Sequence, residues 1–208
     1  MKKLKILTSI IIVIFCVLIL SSCKYEYILK PYNEINEDIP DNLTSSASMA
    51  EYARNIVEKD FGKEFNVGSV YMILDSELKG EVRVTLVEKK QKKPLLVYVD
   101  FDTKNDKLLS FKYVSWHSKL YPGLINLQNW KIDYAEAIEI SKEFYSETDG
   151  FRYDDVLIET IDSFPATDED WEDWSVAFRD YQSKRNYNTH IDPYTGEILN
   201  HGIGKWVG

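Results

Sequence analysis

The chain has 208 residues, of which 44% are hydrophobic and 13% aromatic, and its formal net charge is −9 at neutral pH. This composition excludes an intrinsically disordered chain and is typical of one packed domain or two small ones. The acidic balance also disfavours nucleic-acid binding, because like charges would repel the phosphates.

Residues 1–22 have the pattern of a bacterial lipoprotein signal peptide. Three lysines near the N-terminus precede an apolar stretch that ends at Leu20, and Leu20-Ser-Ser-Cys23 has the form of the lipoprotein cleavage box. The alternative is a transmembrane anchor, but the apolar stretch is shorter than the ~20 residues that a bilayer requires. We therefore predict cleavage before Cys23, lipidation of the Cys23 thiol, and attachment to the extracytoplasmic face of the cell membrane.

The predicted mature chain keeps 186 residues, with 22 basic and 34 acidic side chains and a formal charge of −12. Cys16 leaves with the signal peptide, so no cysteine pair remains to form a disulfide. Residues 23–47 contain Pro31, Pro40 and no sustained hydrophobic period, which indicates a flexible tether. The predicted membrane contact is therefore the lipid and not a basic surface.

Residues 48–114 predict a helix followed by four strands. Ser48 and Glu51 have the spacing of a capping box. Apolar side chains then recur on one helix face, at Met49, Tyr52, Ala53, Ile56 and Val57. The strand-like runs lie at 70–74, 81–87, 95–101 and 107–114. The sequence Asp100-Phe-Asp-Thr103 predicts the turn between the last two strands.

Residues 130–208 repeat this order after a connector at 115–129. Asp133 and Glu136 again have the capping-box spacing. One face of the predicted helix carries Tyr134, Ala137, Ile138 and Ser141, and the alternating residues Trp174, Val176 and Phe178 predict a half-buried strand. In Asp192-Pro-Tyr-Thr-Gly196, Gly196 can take the positive φ that a hairpin of this length needs.

The two stretches match in the order of helix cap, apolar stripe and turn. The helix starts, Ser48 and Asp133, are 85 residues apart, and the turn aspartates, Asp100 and Asp192, are 92 apart. A longer loop at 162–173 absorbs the difference, although chance similarity between short helices and hairpins is the alternative. We predict an α+β fold of two tandem units, each with one helix packed on its own antiparallel β-sheet.

The second stretch resembles the PepSY domain family over residues 130–200. The resemblance is carried by an opening motif and a closing motif: Ile132, Asp133, Glu136, Ala137, Ile138 and Ile140, then Ile191, Asp192, Thr195, Gly196, Glu197, Ile198 and Leu199. Residues 48–114 would then be a degenerate first copy. The resemblance implies a small extracytoplasmic module of the kind found in peptidase propeptides and membrane-anchored proteins, with a role in binding or restraining peptidases. It implies no catalytic residue.

The sequence contains no motif that predicts catalysis or a cofactor. Of the three histidines, His117, His190 and His201, only His190 has a carboxylate two residues away, in Asp192. Both could face a metal from one strand, but no further ligand has a recognisable spacing. The simpler interpretation is a polar strand residue beside a turn aspartate. We predict neither an enzyme nor a metal site.

Two charged segments remain. Residues 168–174 hold five carboxylates and two indoles, which we interpret as a solvated acidic loop with Trp174 turned inward. The alternatives are Ca²⁺ binding or a partner anchored by the indoles. Basic residues at 89–93 and 184–185 predict hairpin turns whose lysines discourage edge-to-edge aggregation, rather than binding to an anionic wall polymer.

The expected function is non-catalytic. We predict a lipid-anchored module that binds a peptide or an extracytoplasmic peptidase and restrains it, with no nucleic-acid partner. The alternative is a lipoprotein that binds a small ligand or a cation in a groove between the two units. The sequence names no binding residue for either function.

Overall fold

A computed structural model describes residues 38–89, 94–115, 124–162 and 172–205. Each half contains a helix followed by four strands. The first half comprises α1 (Ser46–Phe61), β1 (Phe65–Leu74), β2 (Gly80–Glu88), β3 (Leu95–Asp102) and β4 (Lys107–Ser115). After a 3₁₀ turn (Leu127–Asn129), the second half comprises α2 (Tyr134–Tyr145), β5 (Asp155–Asp162), β6 (Glu172–Asp180), β7 (Arg185–Ile191) and β8 (Ile198–Lys205).

All eight strands form one antiparallel sheet in the order β4-β3-β2-β1-β5-β6-β7-β8. The central pair is β1 with β5, in a register that runs from Tyr71 opposite Glu159 to Leu74 opposite Val156. The predicted fold of two tandem units, each with its own sheet, is therefore wrong. Alternating hydrophobicity predicts which face of a strand is buried but not which strand lies at its edge, so the sequence could not reveal this pairing.

Both helices pack on the same face of the sheet. Contacts join α1 to β1 and β2, and α2 to β5, β6 and β7. The strand residues beneath them form one hydrophobic core that includes both halves. Its largest fully buried side chains include Trp174, Tyr187, Phe65, Phe101 and Phe178. The inward positions predicted for Trp174, Val176 and Phe178 are confirmed, since each is 0% exposed.

Helix α1 begins earlier than its sequence predicted. Ser45 is the N-cap, and its hydroxyl oxygen accepts a hydrogen bond from the Ser48 N–H. In return, the Ser48 hydroxyl oxygen accepts a hydrogen bond from the Ser45 N–H. Ser48 is thus the third helical residue and not the cap, and Glu51 has no capping role. The Ser48 hydroxyl takes the place of the Glu or Gln side chain of the usual capping box. The spacing of Ser48 and Glu51 therefore predicted the wrong start for this helix.

Helix α2 begins where its sequence predicted, after Asp133, and its four predicted inward residues are all buried. Asp133 is the N-cap residue, but its side chain makes no capping hydrogen bond to its own helix. Its carboxylate accepts hydrogen bonds from the backbone N–H of Ser46, at 3.2 Å, and from the Ser46 hydroxyl. Asp133 therefore supplies negative charge to the N-terminus of α1 and ties the starts of the two helices together.

The hairpin turn at Asp192–Gly196 has its predicted form. Gly196 has a φ of 78°, and the Asp192 carboxylate accepts the backbone N–H groups of Tyr194 and Thr195 at 2.7 and 3.1 Å. The first-half turn lies two residues later than predicted, because Asp100 belongs to β3. Asp102 makes the equivalent contacts to the backbone of the following turn.

Segments predicted as tether and connector contribute to the core. Residues 38–47 were assigned to the tether, yet Ile39 is 7% exposed and its N–H donates to the Asp106 carbonyl at 3.0 Å. In the connector, Ile125 and Leu127 are each 6% exposed. Of the helices in the described residues, none is both long and apolar enough to span a membrane. The predicted signal peptide and Cys23 lie outside the described residues.

Candidate functional site

The face of the sheet opposite the two helices carries a polar row that crosses every strand. The register places eight residues side by side, from edge to edge: Ser110, Asp100, Arg83, Tyr71, Glu159, Ser175, His190 and Asn200. No helix in the described residues covers this open face. Strand faces that are not packed on a core are normally polar, so the row alone does not indicate function.

Two arginines on the open face are bound to aspartates. Arg83 Nε donates to Asp100 Oδ1 at 2.6 Å, and Arg179 Nε donates to Asp155 Oδ1 at 2.6 Å. These contacts raise the pKa of each guanidinium above its usual value. Tyr71 lies between the two pairs, and partial burial raises the pKa of its hydroxyl. These carboxylates have their charge balanced locally and are not available to a ligand.

The second half places three further titratable groups close together on this face. His190 Nδ1, on β7, lies 3.0 Å from Asp173 Oδ2, on β6. Glu159 is on β5, on the other side of β6, and shares its cross-strand row with His190. The hydrogen bond to Asp173 raises the pKa of His190, and burial followed by the Asp173 charge raises the pKa of Glu159. We call Glu159, Asp173 and His190 the acidic cluster.

Strand β8 is one edge of the sheet and is much more exposed than the other strands of its half. It pairs with β7 only, and a register shift leaves Leu199 unpaired. Leu199 is 44% exposed and Ile203 54%. Phe144 of α2, 41% exposed, lies beside this strand with its ring centre 4.7 Å from that of His201. The edge from His201 to Lys205 therefore combines an accessible backbone with apolar side chains.

Tyr145 holds β8 in place from the helix side. Its hydroxyl donates to the carbonyl of Asn188 at 2.6 Å and lies 3.0 Å from the carbonyl of Gly202. The same oxygen accepts the Gly202 N–H at 3.2 Å. The ring packs on Phe151 and Tyr187 in the core. A buried aromatic side chain thus fixes the position of the exposed edge strand.

The opposite edge, β4, is partly covered by the chain itself. Asp38 forms an isolated antiparallel bridge with Lys107, and the two side chains form an ion pair. Within the described ranges, no residue lies against the outer edge of β8 in this way. Among the described residues, β8 is therefore the edge that is left open for pairing with a further strand.

The groove expected between two separate units is absent from the described residues, because the halves share one sheet. A pocket of about 390 Å³ lies instead between α1, the start of β1 and residues 124–128. Its lining includes the ion-paired side chains of Glu51 and Arg54, 3.8 Å apart. It brings together no unpartnered charged groups.

The predicted chemical residues are scattered. His190 binds Asp173, whereas Asp192 is occupied by the backbone of its turn, so the two do not face one metal. His201 packs on Phe144, and His117 lies outside the described residues. In the ranges that the structure covers, no group of three or more His, Cys, Asp or Glu residues is placed to hold a metal ion.

The segment 168–174 divides at its midpoint. Residues 168–171 lie outside the described residues, whereas Glu172 begins β6. Glu172 accepts hydrogen bonds from Trp130 Nε1 at 2.8 Å and from the Tyr194 hydroxyl at 2.5 Å. Asp173 is 4% exposed, so the interpretation of this part as a solvated loop is wrong. Extending the alternation of Trp174, Val176 and Phe178 backwards would have placed Asp173 on the opposite face.

Comparisons with known proteins supply no family assignment. No family model matches the chain, and no curated protein matches it. The chain is similar to the crystal structure of a protein from Clostridium difficile 630 that is provisionally described as a lipoprotein. The identity is 15% and the TM-score 0.47, over 73% of this chain and 90% of that chain. A likeness at this level carries no argument about function, and the PepSY resemblance is not confirmed.

The His190–Asp173 contact predicts a pH dependence of stability. Because the folded state raises the pKa of His190, it holds the proton more tightly than the unfolded chain. This stabilisation is complete below about pH 6.5, the ordinary histidine value, and is lost as the pH rises through the folded pKa. We expect urea unfolding between pH 5 and 8 to show a smaller pH dependence in His190→Asn than in the wild type.

The control is His201→Asn, which removes a histidine that has no carboxylate partner among the described residues. It is the reference against which the effect of His190→Asn is read. An NMR titration should place the pKa of His190 above 6.5. A value below 6.5, or an identical pH dependence in the two variants, would contradict the assignment.

Proposed function

We propose that the protein is an extracytoplasmic lipoprotein, anchored through Cys23, that binds an extended peptide segment along the free edge of β8. The observation that carries the proposal is the exposed edge from His201 to Lys205, with Ile203 and Phe144 beside it. An added strand would satisfy the free main-chain groups of β8, and its alternate side chains would cover the apolar ones. No chemical step is part of this proposal.

The partner class we propose is a cell-surface peptidase or a peptide in its neighbourhood. Two features of the sequence support this: the lipoprotein cleavage box at Cys23 and the resemblance of residues 130–200 to PepSY modules. A lipid anchor confines the domain to a thin layer above the membrane, which raises its effective concentration towards neighbouring proteins. Weak pairing at an edge strand would then be sufficient to restrain a peptidase.

The lipid anchor is tested by intact-mass analysis of protein extracted from the native membrane. The mature chain should begin at Cys23 and carry added acyl mass, because the thiol takes the lipid. Cys23→Ala should leave the precursor uncut and without lipid. A mature chain that begins at another residue, or one with an unmodified Cys23 thiol, would contradict the anchor.

The peptide site is tested with the chain from residue 24 onward, which keeps every residue that the structure describes. Unstructured peptides with alternating apolar residues should bind saturably and should protect β8 amides from hydrogen exchange. Ile203→Lys should weaken binding about tenfold, because covering a half-exposed isoleucine is worth about 1 kcal/mol and a buried lysine adds an unpaired charge.

Leu109→Lys is the matched control, since Leu109 is an unpaired, 43% exposed residue on the opposite edge strand. It should leave the affinity within about twofold. Binding should persist in chelator. Equal losses in the two variants, or protection at β4 rather than β8, would contradict the site. Turnover of a substrate that survives purification would contradict a binding function.

The acidic cluster favours a second candidate function, the binding of a small cation. This function does not require the edge of β8.

A further inference from the structure

The two carboxylates of the acidic cluster, Glu159 and Asp173, have no lysine or arginine partner among the described residues. Asp100 and Asp155 are each held by an arginine. Glu159 makes no hydrogen bond or ion pair with any residue in the described ranges. The cluster therefore holds two carboxylates against a single histidine, which leaves a local excess of negative charge.

Asp173 has an unmet hydrogen-bonding requirement. Its side chain is 6% exposed, and only Oδ2 has a partner, the His190 ring. The other oxygen, Oδ1, is buried and has no partner among the described residues. A buried acceptor without a donor costs about 1–3 kcal/mol, and more when it is charged. The arrangement is therefore incomplete without a group that donates a hydrogen bond to Oδ1.

The required group is a donor that also carries positive charge. Two carboxylates beside a single histidine favour a cation, and the described residues contain no group placed to hold a metal ion. Ammonium and guanidinium groups have several N–H donors and form charge-assisted hydrogen bonds with carboxylates. Their donors point in several directions, so one such group can reach two carboxylates on neighbouring strands.

We propose that Glu159 and Asp173 form a binding site for an organic cation, a primary ammonium or a guanidinium group, with His190 as the displaceable partner of Asp173. The His190 side chain is 31% exposed, so the ring can turn away and open Asp173 to the solvent side. The entering N–H groups replace the His190 hydrogen bond and supply the donor that Oδ1 lacks. Glu159, half-buried on the adjacent strand, holds the other side of the cation.

The register supports access from the open face. Glu159, Ser175 and His190 form one row, and Asp173 precedes Ser175 by two residues on β6. The small Ser175 side chain leaves the space between Glu159 and His190 free of a bulky residue. The site belongs to the second half only, because the corresponding row positions in the first half are Tyr71, Arg83 and Asp100. Arg83 there supplies the cation from the protein itself.

The test uses the chain from residue 24 onward, titrated with N-acetyl-lysine methylamide and N-acetyl-arginine methylamide and monitored by NMR. Both should bind with a Kd on the order of 1 mM, as expected for a few charge-assisted hydrogen bonds. The His190 ring resonances should move most, and the pKa of His190 should fall on binding, because the ring loses its carboxylate partner.

Nα,Nε-diacetyl-lysine methylamide, in which both nitrogens are blocked, is the neutral control and should not bind. Glu159→Gln should weaken binding of the cations about tenfold. Glu81→Gln, an exposed carboxylate on the same face, should change it less than twofold. Asp173→Asn should abolish the His190 response, and a urea unfolding curve of each variant will show whether it is folded. If Asp173→Asn is unfolded, Glu159→Gln still decides the proposal.

Two arms distinguish the source of the cation. Tighter binding of a lysine-containing peptide than of methylammonium would assign the site to peptide recognition, and the reverse order would assign it to a free amine. Ile203→Lys should not affect either ligand, which separates this site from the edge of β8. The proposal is overturned if no organic cation perturbs His190 at 50-fold the expected Kd, on the order of 50 mM. It is also overturned if the neutral control binds equally or if Ca²⁺ occupies the same residues more tightly.

Discussion

The antiparallel pairing of β1 with β5 joins the two halves into one sheet that has one covered face and one open face. It aligns Met72 with Ile158 and Leu74 with Val156, so the inward rows of the two halves become continuous. Both helices consequently cover the same face, and the other face is open across eight strands. The pairing also removes two of the four edges that separate sheets would have, which leaves β4 and β8 as the edges of the described sheet. Asp133 reinforces this arrangement, because its carboxylate binds the N-terminus of the helix in the other half.

The two halves have the same order of elements, but the chemistry of corresponding positions differs. On the second and third strands of the first half, the polar row contains Arg83 and Asp100, which neutralise each other. The corresponding strands of the second half carry Ser175 and His190. Because serine stands where the first half has arginine, Glu159 and Asp173 have no arginine or lysine partner among the described residues. In the same part of the chain, no bridge like that of Asp38 to β4 covers β8. Both proposed binding surfaces therefore lie in the second half, and they arise from departures from the internal match.

The sequence predicted the parts of the fold that depend on local periodicity and turn chemistry. Strand positions, the buried face of α2 and the positive φ of Gly196 follow from spacing within a few residues. The single sheet depends on pairing between residues 82 to 88 positions apart, which no local pattern records. The acidic cluster was missed for a related reason: the charges at 168–174 suggested one solvated loop, whereas β6 already begins at Glu172. Glu159 had no motif to mark it, and only the strand register brings it beside His190.

Native-state hydrogen exchange in increasing denaturant, compared with tryptophan fluorescence, tests most directly whether the two halves form one sheet. All five tryptophans lie at residue 116 or later, so fluorescence reports on the connector and the second half, whereas amides of β2 and β3 report on the first. A shared core and a continuous sheet predict that the slowest amides of β2, β3, β5 and β6 open with the same free energy. This free energy should also equal that obtained from fluorescence. Exchange of the β2 and β3 amides through an opening that leaves the second half folded would contradict the single sheet with its shared core.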